Sequence, residues 1–427
     1  MHNGALFVSE LAYIPRFFRK KVRYKNLIKI PEFKKKESLE LVCNKIPNNI
    51  SSGVEWNNTI KKIVVKGKPA FTLTTPESIL LHNLLVSNIE RHYNVKCIDR
   101  DTTIRLLISH MKDSYAFSIH RLDIKSFYES FDRKTILSKL KSDSLLSRKT
   151  IKIIFDLFQE LDLEDVSGLP RGMGISSTIS ELMMIDFDKF ISEQSGVLFY
   201  SRFVDDIIIV TVPSINRKSL IELLAHSPLP SKLEFHQNGN KVDFKMIKKT
   251  SDNYEFSESF DFLGYNFNVK TIENKIGETL TIDRRIVNVR ISENKIEKIK
   301  KRIIKSIAKF ISSKNAFNER YDLLQKRIYF LSKNYALVNA GNGSQVLSGI
   351  FFNYKYVTDV EQLNELDVFY RSVLFSNKSH LSRRLRACLS YKYRLKLSKV
   401  SFKEGFENKR FCKLSYKDFK EIKQAWL

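Results

Sequence analysis

The sequence predicts an α/β protein in which strands and helices alternate up to about residue 280, followed by an all-α, basic region. Three observations carry this prediction. Two short apolar runs flank the acidic pair Asp205-Asp206, which is typical of a β-hairpin. Residues 61–75 alternate apolar and polar side chains around a turn that contains glycine and proline. From Ser292 onward, apolar residues recur at three- and four-residue steps, which indicates helices.

The segment before residue 280 begins with a basic extension, residues 1–55, and continues as a mixed segment, residues 56–280. The alternating run at 61–75 predicts a hairpin that turns at Lys66–Pro69. Apolar spacing then predicts further elements in this order: helices at Leu80–His92 and Thr102–Asp113, a strand at Phe117–Leu122 that enters Asp123, helices through Leu161, and a helix that starts near Ser176.

The C-terminal part, residues 281–427, is predicted to be helical and basic throughout. One apolar stripe marks its first helix: Ile296, Ile299, Ile303, Ile307, Phe310 and Ile311. Ser292 can cap the start of that helix. The pattern continues nearly to Leu427, with one interruption at Asn339–Ser344. The change from a mixed strand and helix pattern to a basic helical pattern places a domain boundary near residue 280.

The bulk composition points to a polyanionic partner. The formal net charge of the 427 residues is +26, and neutralising phosphates favours binding through counterion release. Nucleic acid is the first candidate, and an anionic membrane surface is the second. No apolar run approaches the roughly 20 residues that span a bilayer, and the N-terminus lacks the pattern of a secretory signal. The four scattered cysteines form no CxxC pair, which predicts reduced thiols in a cytoplasmic protein.

The acidic pair Asp205-Asp206 is the strongest sign of chemistry. Adjacent carboxylates disfavour each other's ionisation, and charge among apolar strands is costly unless something compensates for it. A divalent cation is the usual compensation, and Mg²⁺ prefers carboxylate oxygens. Asp123 is a further acid at a predicted strand end. If the two strands lie side by side, three carboxylates can hold the two metal ions of phosphoryl transfer. A solvated Asp-Asp turn is the alternative.

A glycine-rich turn, Gly168–Ser177, lies between these acids and leads into a predicted helix. Glycines let the backbone approach a nucleotide closely, and a helix N-terminus favours anionic groups. A plain strand-to-helix connection is the alternative.

The order of these pieces resembles the palm of a reverse transcriptase. Leu122–Phe131 resembles that family's first catalytic motif, and Leu169–Gly172 followed by Ser176 resembles its Leu-Pro-Gln-Gly…Ser motif. Phe203–Asp206 resembles the Tyr-x-Asp-Asp box, and Phe262–Tyr265 resembles the primer-grip turn. The residues of these motifs are most like those of the bacterial defence-associated reverse transcriptases of the unknown-group and abortive-infection branch. The length best suits the smaller enzyme of the type III two-polymerase antiphage system.

The resemblance implies a right-hand architecture and a set of catalytic roles. Fingers and palm would occupy residues 56–280, and a basic helical thumb with appended helices would follow. Asp123, Asp205 and Asp206 would bind two Mg²⁺ ions, with Mn²⁺ as a possible substitute, and the carbonyl of Ile124 would complete the ligand set. Lys241 would protonate the departing pyrophosphate, with Lys245 as a rival.

Nucleotide and nucleic-acid contacts also follow from the resemblance. The ring of Tyr128 would clash with a ribose 2′-hydroxyl, which implies use of dNTPs. Arg171 and Gly172 would line the nucleotide site, and Arg100 would meet the triphosphate, with an ordinary solvated surface role as the alternative for Arg100. The predicted primer grip is Phe262, Leu263, Gly264 and Tyr265. Basic side chains on the first thumb helix would contact the duplex backbone, unless they form an ordinary solvated face: Lys295, Lys298, Lys301, Arg302 and Lys305.

Three departures from the family pattern stand out: Arg171 for glutamine, Phe203 for tyrosine and Ser177 for proline. None removes a metal ligand. Two other acids, Asp186 and Asp188, are expected to be solvated or capping residues on a helix. His120, which precedes Asp123 on its strand, is expected to pack in the sheet.

The function implied is RNA-directed DNA synthesis that copies a noncoding RNA in antiphage defence. The expected partners are template RNA, product DNA and dNTPs, with a second reverse transcriptase subunit or homo-oligomerisation as further options and no membrane. Ribonucleotide polymerisation, template-independent or protein-primed synthesis, and a catalytically silent RNA-binding scaffold are the alternatives.

Overall fold

A computed structural model describes residues 10–23, 26, 30–65, 67–95, 99–113, 115–237, 242–247, 255–276, 280–338 and 345–426. The fold is mixed α/β, with about 53% helix and antiparallel sheets. Within these ranges, no helix combines the length and the apolar character needed to cross a bilayer.

The chain forms two compact units. The described residues up to Thr103 and those of Ala116–Met246 belong to the first unit. Those of Ile104–Tyr115, and those from Ile247 onward, belong to the second. The units therefore divide the chain at other places than the sequence boundaries do, and the three-part domain division stays a prediction.

The elements up to residue 247 are mostly those expected from the sequence. They are α1 (Pro15–Arg19), a 3₁₀ turn (Pro31–Lys34), α2 (Lys36–Ser52), β1 (Ile60–Val65), β2 (Lys68–Leu73), α3 (Pro76–Tyr93), α4 (Arg100–Lys112), β3 (Phe117–Asp123), α5 (Arg133–Asp143), α6 (Arg148–Leu163), α7 (Gly174–Ser192), β4 (Val197–Phe203), β5 (Asp206–Thr211), α8 (Arg217–Ala225) and β6 (Asp243–Ile247). The predicted hairpin at 61–75 is confirmed as β1 and β2, and Gly67 in its turn has φ +76°. The helix expected near Ser176 begins at Gly174.

A four-stranded sheet with the order β4-β5-β3-β6 forms the centre of the first unit. Both β3 and β4 pair antiparallel with β5. Side chains on a strand alternate between faces, and buried Leu122, Ile207 and Ile209 belong to the unit's hydrophobic core together with Phe187 of α7. The other face carries Asp123 at the strand end.

His120 packs within this sheet, as expected. Its Nε2 lies 3.0 Å from the hydroxyl of Thr211, and its ring centroid lies 4.9 Å from that of Phe244. Burial lowers the pKa of His120 to about 4, because desolvation disfavours the imidazolium. The residue is therefore a neutral part of the core.

The second unit contains a three-stranded sheet and a set of helices. They are β7 (Glu255–Phe262), β8 (Tyr265–Ile276), β9 (Leu280–Ile291), α9 (Glu293–Ser312), α10 (Phe317–Ser332), β10 (Asn334–Val338), β11 (Gln345–Gly349), α11 (Glu361–Phe375), α12 (His380–Cys388), α13 (Tyr391–Ser398), α14 (Phe402–Glu407) and α15 (Tyr416–Gln424). The apolar stripe of α9 is buried at Ile296, Ile299, Ile303, Ile307 and Phe310. Each such side chain contributes about 1.5–3 kcal/mol on burial. Ser292 occupies the N-cap position of α9, but its side chain makes no capping hydrogen bond.

The prediction that the C-terminal region is all-α is wrong. Strand β9 runs to Ile291, and β10 and β11 form an antiparallel hairpin on either side of the interruption noted at 339–344. Asn334, the first residue of β10, is anchored by its side chain. Its side-chain Nδ2 donates to the Gly405 carbonyl at 3.1 Å, and its Oδ1 accepts from the Phe351 amide at 2.9 Å. These long-range bonds hold β10 in place, and no helical spacing predicts them.

Candidate active site

The two acidic segments identified in the sequence lie on adjacent strands. Asp123, the last residue of β3, is the direct cross-strand partner of Asp206, the first residue of β5. Directly opposed side chains share one face, with Cβ atoms about 4.5–5.5 Å apart. The Ile124 amide donates to the Asp205 carbonyl at 3.1 Å. The condition that the strands lie side by side is therefore met.

The turn between β4 and β5 is formed by Val204 and Asp205 alone. Val204 has φ +62°, a conformation that is sterically unfavourable for a β-branched residue. Positive φ at a non-glycine residue costs of order 1–3 kcal/mol and persists only when the surroundings fix it. Here Nη1 of Arg202 donates to the Val204 carbonyl at 3.0 Å.

Arg202 is in turn held by two acids of α7. It donates to Glu181 at 2.6 Å and 3.0 Å, and to Asp188 at 2.7 Å and 2.8 Å. Burial alone would lower the pKa of the guanidinium, but the hydrogen bonds that it donates to Asp188 and Glu181 raise this pKa above its already high ordinary value. The network therefore fixes the turn that carries Asp205.

Asp188 is thus not the solvated or capping residue that the sequence suggested. Besides binding Arg202, it accepts a hydrogen bond from the Tyr200 hydroxyl at 2.5 Å. No local pattern predicts these contacts, because the partners lie 12 and 14 residues away on another element. Asp186 does match its expectation: its side chain is 64% exposed and lies 3.7 Å from Lys139.

Each of the two opposed carboxylates has a basic neighbour. Nε2 of His236 lies 3.2 Å from Oδ1 of Asp123, and Nη2 of Arg121 lies 3.8 Å from Oδ1 of Asp206. The His236 amide also donates to the Asp123 carbonyl at 2.9 Å. Sequence reasoning missed His236, because it lies 113 residues after Asp123 in a segment with no regular pattern. A β-bridge between Ile124 and Phe235 brings it there.

The acids offer only oxygen donors, which is the donor set that Mg²⁺ selects. Within the described ranges, no group of three His, Cys, Asp or Glu side chains is arranged to hold a metal ion. Mg²⁺ sites, however, commonly use one or two carboxylates and complete their shell with water and substrate phosphates. The opposed pair Asp123 and Asp206, with Asp205 in the adjoining turn, fits that smaller requirement.

The glycine-rich loop packs directly on the segment that follows Asp123. The Leu169 amide donates to the Tyr128 carbonyl at 2.8 Å. A Cβ on Gly168, which has φ +58°, would lie 2.5 Å from the carbonyl oxygens of Tyr128 and Glu129. Only glycine fits there, so the two motifs meet through their main chains.

Arg171 is held by an acid that the sequence did not single out. Its guanidinium forms a two-pronged ion pair with Glu129, with Nη2 at 2.9 Å from Oε2, and lies 5.8 Å from the centroid of the half-buried Tyr128 ring. Burial would raise the pKa of Glu129, but hydrogen bonds from Arg171 lower it overall. The same bonds raise the pKa of Arg171. Three residues on two motifs therefore form one rigid cluster.

Gly172 lies against the β2 strand. The Phe71 amide donates to the Arg171 carbonyl at 2.7 Å, and a Cβ on Gly172, which has φ +94°, would lie 2.7 Å from the Phe71 carbonyl oxygen. The Ser176 hydroxyl closes the loop by donating to the Pro170 carbonyl at 2.6 Å.

Three further residues were predicted to contact the triphosphate or pyrophosphate. Lys241 lies outside the described residues. Its rival, Lys245, lies on β6. Arg100 begins α4 and is partly buried. Their assigned roles stay predictions.

The predicted primer grip forms the turn between β7 and β8 in the second unit. Phe262 and Tyr265 pair across the turn and are core residues, exposed by only 1% and 2%. Leu263 and Gly264 make the turn itself, with φ values of +45° and +84°. Contact with a primer stays a prediction for this turn.

The basic side chains of α9 have two kinds of surroundings. Lys295, Lys298, Lys301 and Lys305 are exposed. Arg302 is half-buried and stacks on Trp426, with its guanidinium carbon 4.9 Å from the ring centroid. Burial lowers the pKa of Arg302. A packing role for Arg302 thus accompanies the predicted contact with a nucleic-acid backbone.

No protein-family model and no curated protein matches this chain. Among solved structures, the chain is similar to telomerase from Candida albicans in complex with a TWJ fragment of telomeric RNA. The identity is 12% and the TM-score is 0.32. The match covers 80% of this chain and 63% of the telomerase chain, so this chain spans less than two thirds of that neighbour's length.

Proposed function

We propose that this chain is a metal-dependent nucleotidyltransferase that copies RNA into DNA. One observation carries the proposal: Asp123 and Asp206 face each other on adjacent strands, with Asp205 in the turn between β4 and β5. The reverse transcriptase motifs quoted above supply the reaction type. The net charge of +26 supports a polyanionic partner.

Each residue of the cluster has a definable task in this reaction. Asp123, Asp205 and Asp206 would hold Mg²⁺, which supplies activation of the primer 3′-hydroxyl and neutralisation of the leaving pyrophosphate. Arg171, fixed by Glu129, presents a guanidinium to phosphate or sugar oxygens. The Tyr128 ring excludes a ribose 2′-hydroxyl by contact.

His236 is a positioning residue in this proposal. Its ring contacts Asp123 and its amide binds the Asp123 carbonyl, so the carboxylate is restricted in orientation without being replaced as a ligand. Such restriction of reacting groups lowers the entropic part of a barrier.

The biological setting is proposed from the motif resemblance alone. Under that resemblance the enzyme acts in antiphage defence, a noncoding RNA serves as template or scaffold, and a second reverse transcriptase subunit is a candidate partner. Sequencing of nucleic acid that copurifies with the chain tests this part separately from catalysis.

The test of catalysis is labelled-dNTP incorporation by the full chain on a primed RNA template with Mg²⁺. We expect Asp205→Ala to lower incorporation by at least about 100-fold, since aligned electrostatic groups are worth this much in catalysis. Asp186→Ala is the matched control, because it removes an exposed helical carboxylate, and it should leave the rate unchanged. Chelation of Mg²⁺ should abolish the signal.

Two arms of the same assay separate the alternatives. Replacement of dNTPs by NTPs should suppress incorporation, because of Tyr128, and omission of the primer tests protein-primed synthesis. Synthesis that survives Asp205→Ala would overturn the proposed site. The absence of any incorporation by the unaltered chain on every template would instead favour the silent RNA-binding scaffold.

A further inference from the structure

A cavity lined entirely by residues of the second unit has the lining of an anion site. Its volume is about 790 Å³, within the range of roughly 300–1,000 Å³ typical of ligand pockets. It lies at the C-terminal end of α9, the first turns of α10 and one side of α15. The cationic side chains of its lining are Lys309, Lys314, Arg320, Lys326, Arg327 and Lys417.

Arg327 is the central observation. It is only 3% exposed, and its Nε has no hydrogen-bond partner. Its Nη2 donates to the Glu421 carbonyl at 3.4 Å, and the Glu421 carboxylate attracts it electrostatically without forming an ion pair. No described carboxylate forms an ion pair with it, and burial lowers its pKa. Because an unpaired buried charge costs several kcal/mol, the geometry calls for an anion beside it.

Arg320 adds a second guanidinium to the same lining. Its carbon lies 4.9 Å from the ring centroid of Phe310 and 5.6 Å from that of Phe317. Its Nε is buried and has no hydrogen-bond partner. The two rings fix the plane of the guanidinium, so its remaining donors are held in one direction.

The acids of the lining do not cancel these charges. Asp322 and Asp418 both bind Lys326, at 2.8 Å and 2.9 Å, and Glu421 lies 3.8 Å from Lys417. Glu319 is the remaining acid. The four acids therefore leave the six cations of the lining with a formal excess of two positive charges.

The start of α10 contributes further positive potential. This helix has 16 residues, and its N-cap, Ala316, offers no side-chain acceptor to the first amides. The lining includes Ser313, Lys314 and Asn315, which precede it. The N-terminal amides and dipole of a helix favour an anion.

We propose that this cavity binds a phosphate group, carried by a free nucleotide or by a nucleic-acid strand. Phosphate fits because guanidinium groups match its oxygens with paired donors. The site lies outside the proposed polymerase centre and goes beyond the proposed function. Neither proposal depends on the other.

The test measures thermal midpoints and affinities of the full chain with inorganic pyrophosphate, ATP and a 5′-phosphorylated oligonucleotide. EDTA is present throughout, so that metal-dependent nucleotide binding at the acids makes no contribution. The variants are Lys314→Glu, at an exposed part of the lining, and Arg327→Met. The control is Lys396→Glu, the same charge change at an exposed lysine outside the lining.

We expect Lys314→Glu to weaken binding at least about tenfold, the value of one charge-assisted hydrogen bond, while Lys396→Glu does not. Arg327→Met should raise the midpoint of the ligand-free chain, by removing an unpaired buried charge, and should abolish the midpoint shift caused by the ligand. If Arg327 only stabilised the fold, Arg327→Met would instead lower the midpoint of the ligand-free chain.

The three probes separate the sources of phosphate. Binding of pyrophosphate and ATP supports a free nucleotide, and binding of the oligonucleotide alone supports a strand. The proposal is overturned if Lys314→Glu and Lys396→Glu bind all probes equally. It is also overturned if Arg327→Met lowers the ligand-free midpoint. Asp205→Ala should change none of these results, so failure here is distinguishable from failure of the polymerase proposal.

Discussion

Two hairpin turns, one in each compact unit, each reverse the chain with two residues but use different residue types. Val204-Asp205 connects β4 to β5, and Leu263-Gly264 connects β7 to β8. The second turn has positive φ at both positions and glycine at the second, as two-residue hairpins favour. The first instead keeps a β-branched residue at φ +62°. Both turns therefore hold a non-glycine residue at positive φ, and the turn that carries the acids places a β-branched residue there, which is the less favourable choice.

The difference lies in what holds each turn. The Gly264 carbonyl accepts from the Ser292 amide at 3.1 Å, and two buried aromatic residues flank the turn. The acid turn is instead held from beneath by Arg202 and its two carboxylates on α7. This comparison indicates that the less favourable residue at positive φ is retained in the turn that carries the acids, where Arg202 and its two ion pairs fix the backbone.

The largest expected effect is on the network beneath the acid turn. Arg202→Met leaves Glu181 and Asp188 without their buried cation, which should lower the free energy of unfolding by about 3–5 kcal/mol. Urea denaturation measures this. The control is Arg290→Met in the second unit, where the partly exposed pair with Asp359 should contribute no more than about 1 kcal/mol. If both variants lost the same free energy of unfolding, the network around Arg202 would stabilise the chain no more than an ordinary surface ion pair.

A smaller effect is expected at the connecting turn. Gly264→Ala places a Cβ at φ +84°, which should lower the free energy of unfolding by roughly 1–2 kcal/mol. Gly264→Asn should lose less, because asparagine tolerates this conformation. Thermal unfolding of both variants checks the order. An alanine variant as stable as the unaltered chain would show that this turn relaxes freely.

The smallest change in stability, and the sharpest test of the comparison, is Val204→Gly. Relief of strain favours the variant, whereas the lost side-chain packing and the greater freedom of the unfolded chain oppose it, so the net change should stay within about 1 kcal/mol. Incorporation of dNTPs should nevertheless fall several-fold, because the acids lose their fixed turn. Unchanged activity with a clear gain in stability would show that the strain has no role in positioning.

Local patterns in the sequence predicted much of the first unit. The alternation at 61–75 and the apolar flanks of Asp205-Asp206 predicted both hairpins, because side-chain period and turn residues are local properties. Strand β3 ends at Asp123 as expected. Its pairing with β5 was only a condition in the sequence argument, and the structure meets it.

The contacts that organise the candidate site could not be predicted in this way. Glu129 and Arg171 are 42 residues apart, and Asp123 and His236 are 113 apart. Such pairs depend on how elements pack, and a single sequence carries no period that reports them. The all-α expectation for the C-terminal region failed for the same reason, since Asn334 takes its partners from a distant segment.

The main-chain hydrogen bond from the Phe71 amide to the Arg171 carbonyl joins the hairpin of β1 and β2 to the glycine-rich loop. The Phe71 amide exchanges with solvent deuterium only when this hydrogen bond opens. The exchange rate of the Phe71 amide therefore reports how firmly the glycine-rich loop is attached to β2. Slower exchange on addition of a nucleotide would register tightening of the loop without any label or substitution.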